Sequence, residues 1–376
     1  MTRLPLPMLL ISIQVACATA TTVPQKVGVV APETKAPAGA ASLLRTARAY
    51  IRQNQPEKAQ KVAERILAQK PDGDAALVLG RALAMQEKLE KSMAAYEDAF
   101  ALGVHNRRAV AELGSIYDVG GHYQKAIVLY ETHLQKSPSD TDLRHQLGLT
   151  YLLVGKANLG IPHLETAAQQ KPTSLQIATD LGYAQWQAGQ LEKAESILSQ
   201  VVTKRPSYSI PQQFLFQVKI ARGKTTEALH AMDAYLQKKP RSTEIRKIRA
   251  RLHYRLGKYQ EALEDASFLF RSKKQDPSLL VVEVGSLIHL NKIQEASERL
   301  VVAKRRLPNR PEWRFRGAQI AWRQGDAKAL PILEEYAEQH PQVREVLEEL
   351  VLAAKTLKRN KTLRKARRML KSLDRN

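Results

Sequence analysis

The chain has 376 residues, and its 59 Lys and Arg against 37 Asp and Glu give a formal net charge of +22. Hydrophobic residues make up 44% and charged residues 26%, a globular balance that excludes a disordered or collagen-like chain. The single cysteine, Cys17, excludes an intrachain disulfide framework, a cysteine zinc cage and an iron–sulfur cluster. The sequence has no run of about eighteen consecutive apolar residues, which excludes a multi-span membrane protein.

Residues 1–20 have the features of an export signal. Arg3 supplies a short positive region, and the stretch from Leu4 to Ala16 is apolar and of the length found in signal peptides. An Ala-Thr-Ala sequence at 18–20 then fits the small-x-small rule for signal peptidase, with cleavage before Thr21. We therefore predict a signal peptide at 1–20 and a soluble protein of the periplasm.

Two alternatives stay open for this segment. Val15-Ala16-Cys17 resembles the end of a bacterial lipobox, which makes Cys17 a candidate lipidation site and the protein an outer-membrane lipoprotein. The match is partial, because Gln14 stands where the lipobox has an apolar residue. The other alternative is an uncleaved apolar N-terminus on a cytosolic protein.

The next segment, residues 21–40, differs sharply in composition. It is rich in Pro, Ala, Thr and Gly and shows no sustained hydrophobic periodicity. Such a composition is typical of a flexible spacer. We expect a linker here, between the signal peptide and a folded body that begins near residue 40.

From there to residue 343 the sequence repeats with a period of 34 residues. Four residue classes keep this period in one phase: prolines, small residues, Leu-Gly pairs and turn residues. They are Pro138, Pro172, Pro206, Pro240 and Pro308; Ala126, Gly160, Ala194, Ala228, Ala262 and Ala296; pairs starting at Leu113, Leu147 and Leu181; and Gly121, Gly155, Gly189, Gly223, Gly257 and Asn291. A fixed period of this length predicts a stacked repeat architecture.

One repeat, residues 107–140, shows what each unit forms. Apolar residues from Val110 to Tyr117 recur at helical intervals, and Gly121 ends this helix because glycine adopts the left-handed conformation easily. A second apolar stripe runs from Ala126 to Leu134. Two such helices form an antiparallel pair that cannot bury its apolar face alone, so neighbouring pairs must stack.

The pattern resembles the tetratricopeptide repeat. The positions that carry the resemblance in the third unit are Leu113, Gly114, Tyr117, Tyr123, Ala126, Tyr130 and Pro138. The resemblance implies an all-α fold, a right-handed superhelical solenoid of antiparallel helix pairs. The nine units that it covers are 40–73, 73–106, 107–140, 141–174, 175–208, 209–242, 243–276, 277–310 and 310–343.

Some units depart from the pattern. Val104 replaces the closing proline in the second unit, and Lys274 replaces it in the seventh. The seventh unit also has Arg246 and Arg249 at positions where apolar residues are expected. We therefore expect its first helix to be rotated relative to those of the other units.

Residues 344–376 predict a basic C-terminal hairpin that caps the solenoid. One apolar stripe runs from Val346 to Ala354, and a second comprises Leu363, Ala366, Leu370 and Leu373. Because stacked repeats need a polar terminal cap, this hairpin is the natural candidate.

The sequence shows no catalytic constellation. The nine His residues are scattered singly, and no Gly-x-Ser-x-Gly elbow occurs. Gly223-Lys224-Thr225 resembles the end of a phosphate-binding loop, but Val218 stands where the first glycine is needed. We therefore predict a protein that is not an enzyme and has no metal site and no cofactor.

Partner binding is the chemistry that the resemblance implies, in a concave groove lined by the first helices that accepts a peptide or helix. In the seventh unit Lys247, Arg251 and Arg255 are spaced by four residues, with Tyr254 adjacent, which makes these four the candidate partner-binding residues. They resemble one rung of a carboxylate clamp, but a solvated basic face is favoured. The corresponding positions of the third to sixth units are Ala111, His145, Thr179 and Gln213.

Two tryptophans, Trp186 and Trp322, lie late in predicted first helices. A side chain at this place either faces the groove or packs in the core. We favour core packing for both.

Positive charge is concentrated in patches at 201–255 and 355–376. Residues 51–200 carry 16 basic and 17 acidic side chains, residues 201–250 carry 11 and 3, and residues 351–376 carry 10 and 1. In the last patch the candidates for contact with an anionic surface are Arg364, Lys365, Arg367, Arg368 and Lys371. We rank a capping role first, an anionic surface second and nucleic acid third, since export removes the protein from nucleic acid.

The sequence thus predicts a non-enzymatic scaffold of the cell envelope, which holds protein partners during assembly of a pilus, secretion or polysaccharide-export machine. This expectation rests on analogy with exported repeat proteins. The alternative is an adaptor that binds an anionic polymer or membrane surface through the two basic patches.

Overall fold

The computed structural model describes residues 39–271 and 279–374. The predicted signal peptide, Cys17 and nearly all of the predicted linker lie outside the described residues. The described part of the chain contains twenty α-helices and no strand. None of these helices combines the length and the apolar content needed to cross a bilayer.

The helices alternate between first and second members of successive pairs. In chain order they are α1 (Ala40–Arg52), α2 (Pro56–Leu67), α3 (Gly73–Met85), α4 (Leu89–Ala101), α5 (Arg107–Val119), α6 (Tyr123–Lys136), α7 (Thr141–Leu153), α8 (Ala157–Gln170), α9 (Leu175–Gln187), α10 (Leu191–Lys204), α11 (Ser209–Ala221), α12 (Thr225–Lys238), α13 (Thr243–Arg255), α14 (Tyr259–Arg271), α15 (Leu280–His289), α16 (Ile293–Arg306), α17 (Glu312–Arg323), α18 (Ala329–Gln339), α19 (Arg344–Thr356) and α20 (Asn360–Leu373). Odd numbers are first helices and even numbers are second helices.

Polar side chains start the first helices at regular intervals. Asp72, Asn106, Asp140 and Ser174 each accept a hydrogen bond from the backbone N–H three residues further on. Each bond satisfies one of the amide groups that a helix start leaves without an intrahelical partner. These caps follow the 34-residue period and add a fifth series to the four visible in the sequence.

The turn inside every pair has one residue in the left-handed conformation. Glycine suits this place because it has no Cβ to clash with the backbone. The predicted end of α5 at Gly121 is confirmed, with a φ of 77°. The full series is Asn54, Glu87, Gly121, Gly155, Gly189, Gly223, Gly257, Asn291, Gly325 and Lys358.

In four successive pairs, from α3 and α4 to α9 and α10, the two helices meet at a glycine of the first helix. A Cβ placed on Gly114 would lie only 2.3 Å from the ring of Tyr130, and one on Gly148 would lie 2.7 Å from Leu164. Gly80 against Tyr96 and Gly182 against Leu198 repeat the arrangement. The bulky side chain of the second helix thus fills the space that the glycine leaves.

The chain forms two compact units, which divide between Arg222 and Gly223. The N-terminal unit contains α1–α11, and the C-terminal unit contains α12–α20. Within each unit, a second helix also packs on the first helix of the next pair, and successive first helices lie side by side. This continuous stacking is that of an all-α solenoid, as the sequence predicts.

The expected rotation of α13 is wrong. Ile245, Ala250 and Leu252 are buried, so the helix keeps the register of the other first helices. Arg246 and Arg249 are accommodated by pairing: both bind the carboxylate of Asp265, which is 1% exposed, at 2.6 and 2.7 Å. The hydrogen bond to Asp265 raises the pKa of Arg249, which keeps its guanidinium charged.

The C-terminal pair α19 and α20 packs against α18. Ala366 of α20 is fully buried, and Leu363 and Leu370 are partly buried in one cluster with Leu333 and Leu347. The predicted apolar stripe of α20 therefore faces the preceding helices.

The glycine contact between paired helices yields a test. Gly114→Ala is expected to lower the melting temperature, because the added methyl overlaps the Tyr130 ring and overpacking costs about 1–3 kcal/mol. The measurement is thermal melting followed by circular dichroism.

Gly317→Ala is the matched control. A Cβ on Gly317 meets nothing closer than 3.8 Å, so this change should raise stability by up to about 1 kcal/mol through helix propensity. A Gly114→Ala variant that melts like the parent contradicts the close approach of α5 and α6.

Candidate functional site

In the N-terminal unit, polar pairs join successive first helices. Arg81 of α3 donates from Nε to Glu112 of α5 at 2.7 Å, and Thr150 of α7 donates to Asp118 of α5 at 2.9 Å. One step further, Nε2 of His145 on α7 lies 2.8 Å from Oδ2 of Asp180 on α9.

These polar groups are largely removed from solvent. Asp118 is 1% exposed, and burial raises the pKa of its carboxyl to about 7 even though hydrogen bonds from Thr150 and Tyr130 act in the opposite direction. His145 and Asp180 are also buried. The side chains therefore serve to connect α5, α7 and α9 and are not available to a partner.

The contact between α9 and α11 is aromatic. The rings of Tyr183 and Phe214 lie 4.8 Å apart, and the ring of Trp186 lies 5.8 Å from Tyr183 and 6.2 Å from Phe214. Ile210, in the first turn of α11, packs against the same cluster. We call these four residues the aromatic patch.

The aromatic patch is only partly covered. Phe214 is buried, whereas Tyr183, Trp186 and Ile210 are partly exposed. Burial raises the pKa of Tyr183, so its hydroxyl stays protonated and able to donate. Within the described residues, neither this hydroxyl nor the indole N–H of Trp186 has a protein hydrogen-bond partner. Apolar rings with unused donors at their edges are suited to hold a peptide or helix.

The sequence prediction of core packing is right for one tryptophan and incomplete for the other. Trp322 is 7% exposed and donates its indole N–H to Glu349 at 2.6 Å. Trp186 packs against Phe214 but keeps part of its surface open. The next first helix differs between the two cases: α19 supplies Glu349 to Trp322, whereas α11 supplies Phe214 to Trp186.

The predicted partner-binding residues of α13 do not form one open surface. Lys247 pairs with Glu244 at 2.9 Å, and its side chain is 22% exposed. Arg251 and Arg255 are exposed. Tyr254 is partly buried, and its hydroxyl binds Glu345 within the protein, so its role as a partner contact stays a prediction.

Tyr254 belongs to a polar network across the first helices of the C-terminal unit. Its hydroxyl donates to Glu345 of α19 at 2.7 Å and accepts from Arg316 of α17 at 2.8 Å. Arg316 also donates to Glu345 at 2.6 Å, and His289 of α15 lies 3.4 Å from the same carboxylate oxygen. Tyr254 and Glu345, which are 91 residues apart in the sequence, thus belong to one network that connects α13, α15, α17 and α19.

The charges in this network depend on one another. Arg316 is 4% exposed, so its cation needs the Glu345 carboxylate beside it. Burial alone acts to raise the pKa of Glu345, but the His289 hydrogen bond and the Arg316 charge hold it well below its usual range. Burial also raises the pKa of the Tyr254 phenol. At neutral pH Glu345 is consequently ionised beside Arg316, and the Tyr254 phenol is protonated.

Sequence reasoning missed this network, although Gly285 offers a signal. A Cβ on Gly285 of α15 would lie 2.6 Å from the Tyr254 hydroxyl, so glycine is what lets the Tyr254 ring lie across α15. This glycine is one residue out of phase with the Gly114 series, where Val284 stands. An out-of-phase glycine on a first helix therefore indicates that a side chain from a neighbouring helix crosses it at that point.

The basic residues predicted on α20 are exposed, but one of them is paired. Lys365 lies 3.1 Å from Glu334 and also binds Glu338, both on α18. Arg364, Arg367, Arg368 and Lys371 point away from the apolar stripe and have no ion pair within the described residues.

Metal chemistry has no support in the part of the chain that is described. No group of three or more His, Cys, Asp or Glu residues there could hold a metal ion.

The network at Glu345 gives the next prediction. Glu345→Gln is expected to destabilise the C-terminal unit by about 2–3 kcal/mol, since it leaves the buried Arg316 charge uncompensated while the site of Glu345 itself is partly open to solvent. The measurement is urea unfolding followed by circular dichroism.

Glu348→Gln, on the same helix, is the control. Glu348 pairs only with exposed Arg344 at 3.4 Å, so its loss should cost no more than about 1 kcal/mol. Equal effects of the two substitutions contradict the network.

Comparisons with known proteins agree with this architecture. Two family profiles described as Tetratricopeptide repeat match the chain, one at residues 44–103 and 215–267 and the other at residues 151–212. No curated protein matches the chain.

Solved structures of similar fold exist. A tetratricopeptide repeat protein from Parabacteroides merdae is 14% identical, covers 66% of this chain and 98% of its own, and has a TM-score of 0.54. Pseudomonas aeruginosa pilF is 14% identical over 56% of this chain and 97% of its own, with a TM-score of 0.46. MamA from Desulfovibrio magneticus is 20% identical over 46% of this chain and 99% of its own, with a TM-score of 0.42.

The period, the helix pairs and the profile matches lead to the same family. The chain is a member of the tetratricopeptide repeat family.

Proposed function

We propose that this protein is a non-enzymatic scaffold of the bacterial cell envelope, which holds protein partners during assembly of a pilus, secretion or polysaccharide-export machine. Tetratricopeptide repeat proteins bind peptide or protein partners and are generally non-enzymatic scaffolds. The specific proposal is that a peptide or helical segment of the partner lies on the first helices of the N-terminal unit.

The aromatic patch is the observation that carries this proposal. In the N-terminal unit the polar side chains between α3 and α9 are used to join helices, whereas Tyr183 and Trp186 keep exposed ring surface and unused donors. Tyr and Trp dominate binding energy at protein interfaces because they bury a large rigid surface and still hydrogen-bond. In the C-terminal unit, by contrast, the equivalent surface carries the Tyr254–Arg316–Glu345 network.

The envelope location rests on the N-terminal sequence. Arg3, the apolar stretch that follows and Ala-Thr-Ala at 18–20 support export with release from the membrane. Lipidation at Cys17 is the alternative, and it also places the repeats in the envelope.

Affinity capture with chemical cross-linking from a periplasmic extract tests the proposal. Trp186→Ala should reduce the captured partner by more than about tenfold, because loss of an interface tryptophan commonly costs 2 kcal/mol or more. Cross-links are expected to map to α7, α9 and α11.

Phe268→Ala is the control, since Phe268 is an aromatic residue with 37% exposure on the second helix α14. It should leave capture unchanged, and circular dichroism should show that both variants are folded at the temperature of the capture. The proposal is overturned if Trp186→Ala leaves the captured amount of partner unchanged, or if the partner is found only in a cytosolic extract.

A further inference from the structure

The C-terminal hairpin exposes a set of cations that the fold does not use. Eight of them lie within seventeen residues of chain, from the last turn of α19 through α20, and all are exposed. None has an ion pair or hydrogen bond from its side chain within the described residues. They are Lys355, Lys358, Arg359, Lys361, Arg364, Arg367, Arg368 and Lys371.

The nearby acidic residues are all engaged elsewhere. Lys365 binds Glu334 and Glu338, and Arg344 binds Glu348 and Asp374. The three remaining glutamates pair with arginines of α17: Glu335 with Arg314, Glu345 with Arg316, and Glu349 with Arg323. Every carboxylate between residues 334 and 374 thus has a cation, and the eight exposed cations remain as uncompensated charge.

The two sides of α20 differ completely. Ala366, Leu363 and Leu370 are packed against α18 and α19, so the apolar side faces the protein. At 3.6 residues per turn, the cations from Lys361 to Lys371 spread over an arc of about 120° on the opposite side. A single partner helix contacts a narrow stripe, whereas a broad arc of long side chains fits an extended anionic surface.

We propose that this cationic face of α19 and α20 docks on an anionic lipid surface. Because the apolar side of α20 is occupied, the helix lies on the headgroups without inserting, and attraction to anionic lipid provides the affinity. Nucleic acid is the less suitable polyanion, since residues 355–374 contain no aromatic side chain on which a base could stack. The proposal goes beyond the scaffold function: it places one end of the scaffold against a bilayer.

Vesicle co-sedimentation with the full chain tests this. The protein should sediment with vesicles of phosphatidylcholine mixed with phosphatidylglycerol, but not with phosphatidylcholine alone, and high salt should release it. Replacing Arg364, Arg367, Arg368 and Lys371 with Gln should weaken binding more than about a hundredfold, since each cation near the surface contributes about fivefold.

A matched variant removes four exposed cations from the other end of the chain: Arg52, Lys61, Arg65 and Lys70 are replaced with Gln. This variant loses the same net charge as the α20 variant and should keep most of the binding to the anionic vesicles. Equal weakening by both variants overturns the proposal in favour of net charge alone. Absence of vesicle binding, or tighter binding to a single-stranded oligonucleotide than to the vesicles, overturns it as well.

Discussion

The constraint on which the rest of the structure depends is the close packing of the two helices of a pair. Tyr96, Tyr130, Leu164 and Leu198 occupy the space above Gly80, Gly114, Gly148 and Gly182 in four successive pairs. This contact makes each of these four pairs a compact two-helix layer, and residues such as Ala250, Val284 and Ala318 take the place of the glycine in later pairs. Such a layer cannot remain alone in water, so the next pair must cover it, and the solenoid follows.

Stacking leaves the first helices of each unit in one row, and their side chains decide what that row does. Polar pairs and the aromatic patch occupy the row of the N-terminal unit. In the C-terminal unit Tyr254, Arg316 and Glu345 bind one another across it. The same repeat thus gives one unit a surface with partly exposed aromatic rings and the other a surface on which Tyr254, Arg316 and Glu345 bind one another.

The sequence predicted the elements well because one period controls both helix ends and helix contacts. The prediction for α13 was wrong because it assumed that an arginine at a core position must turn to solvent. Asp265 of α14 instead pairs with Arg246 and Arg249 and lets both stay partly buried. The role of Tyr254 could not be predicted from the sequence for another reason. Its partner Glu345 lies 91 residues away, and only the stacking of the intervening pairs brings the two together.

The first-helix surface is partly open at the aromatic patch, whereas in the C-terminal unit Tyr254, Arg316 and Glu345 bind one another across it. Hydroxyl-radical footprinting read by mass spectrometry measures this residue by residue in the isolated protein. Trp186 should be oxidised much faster than Trp313 and Trp322, which are 2% and 7% exposed, and Tyr183 faster than Tyr254. Oxidation of Trp186 as slow as that of Trp313, or of Tyr254 as fast as that of Tyr183, would contradict the account.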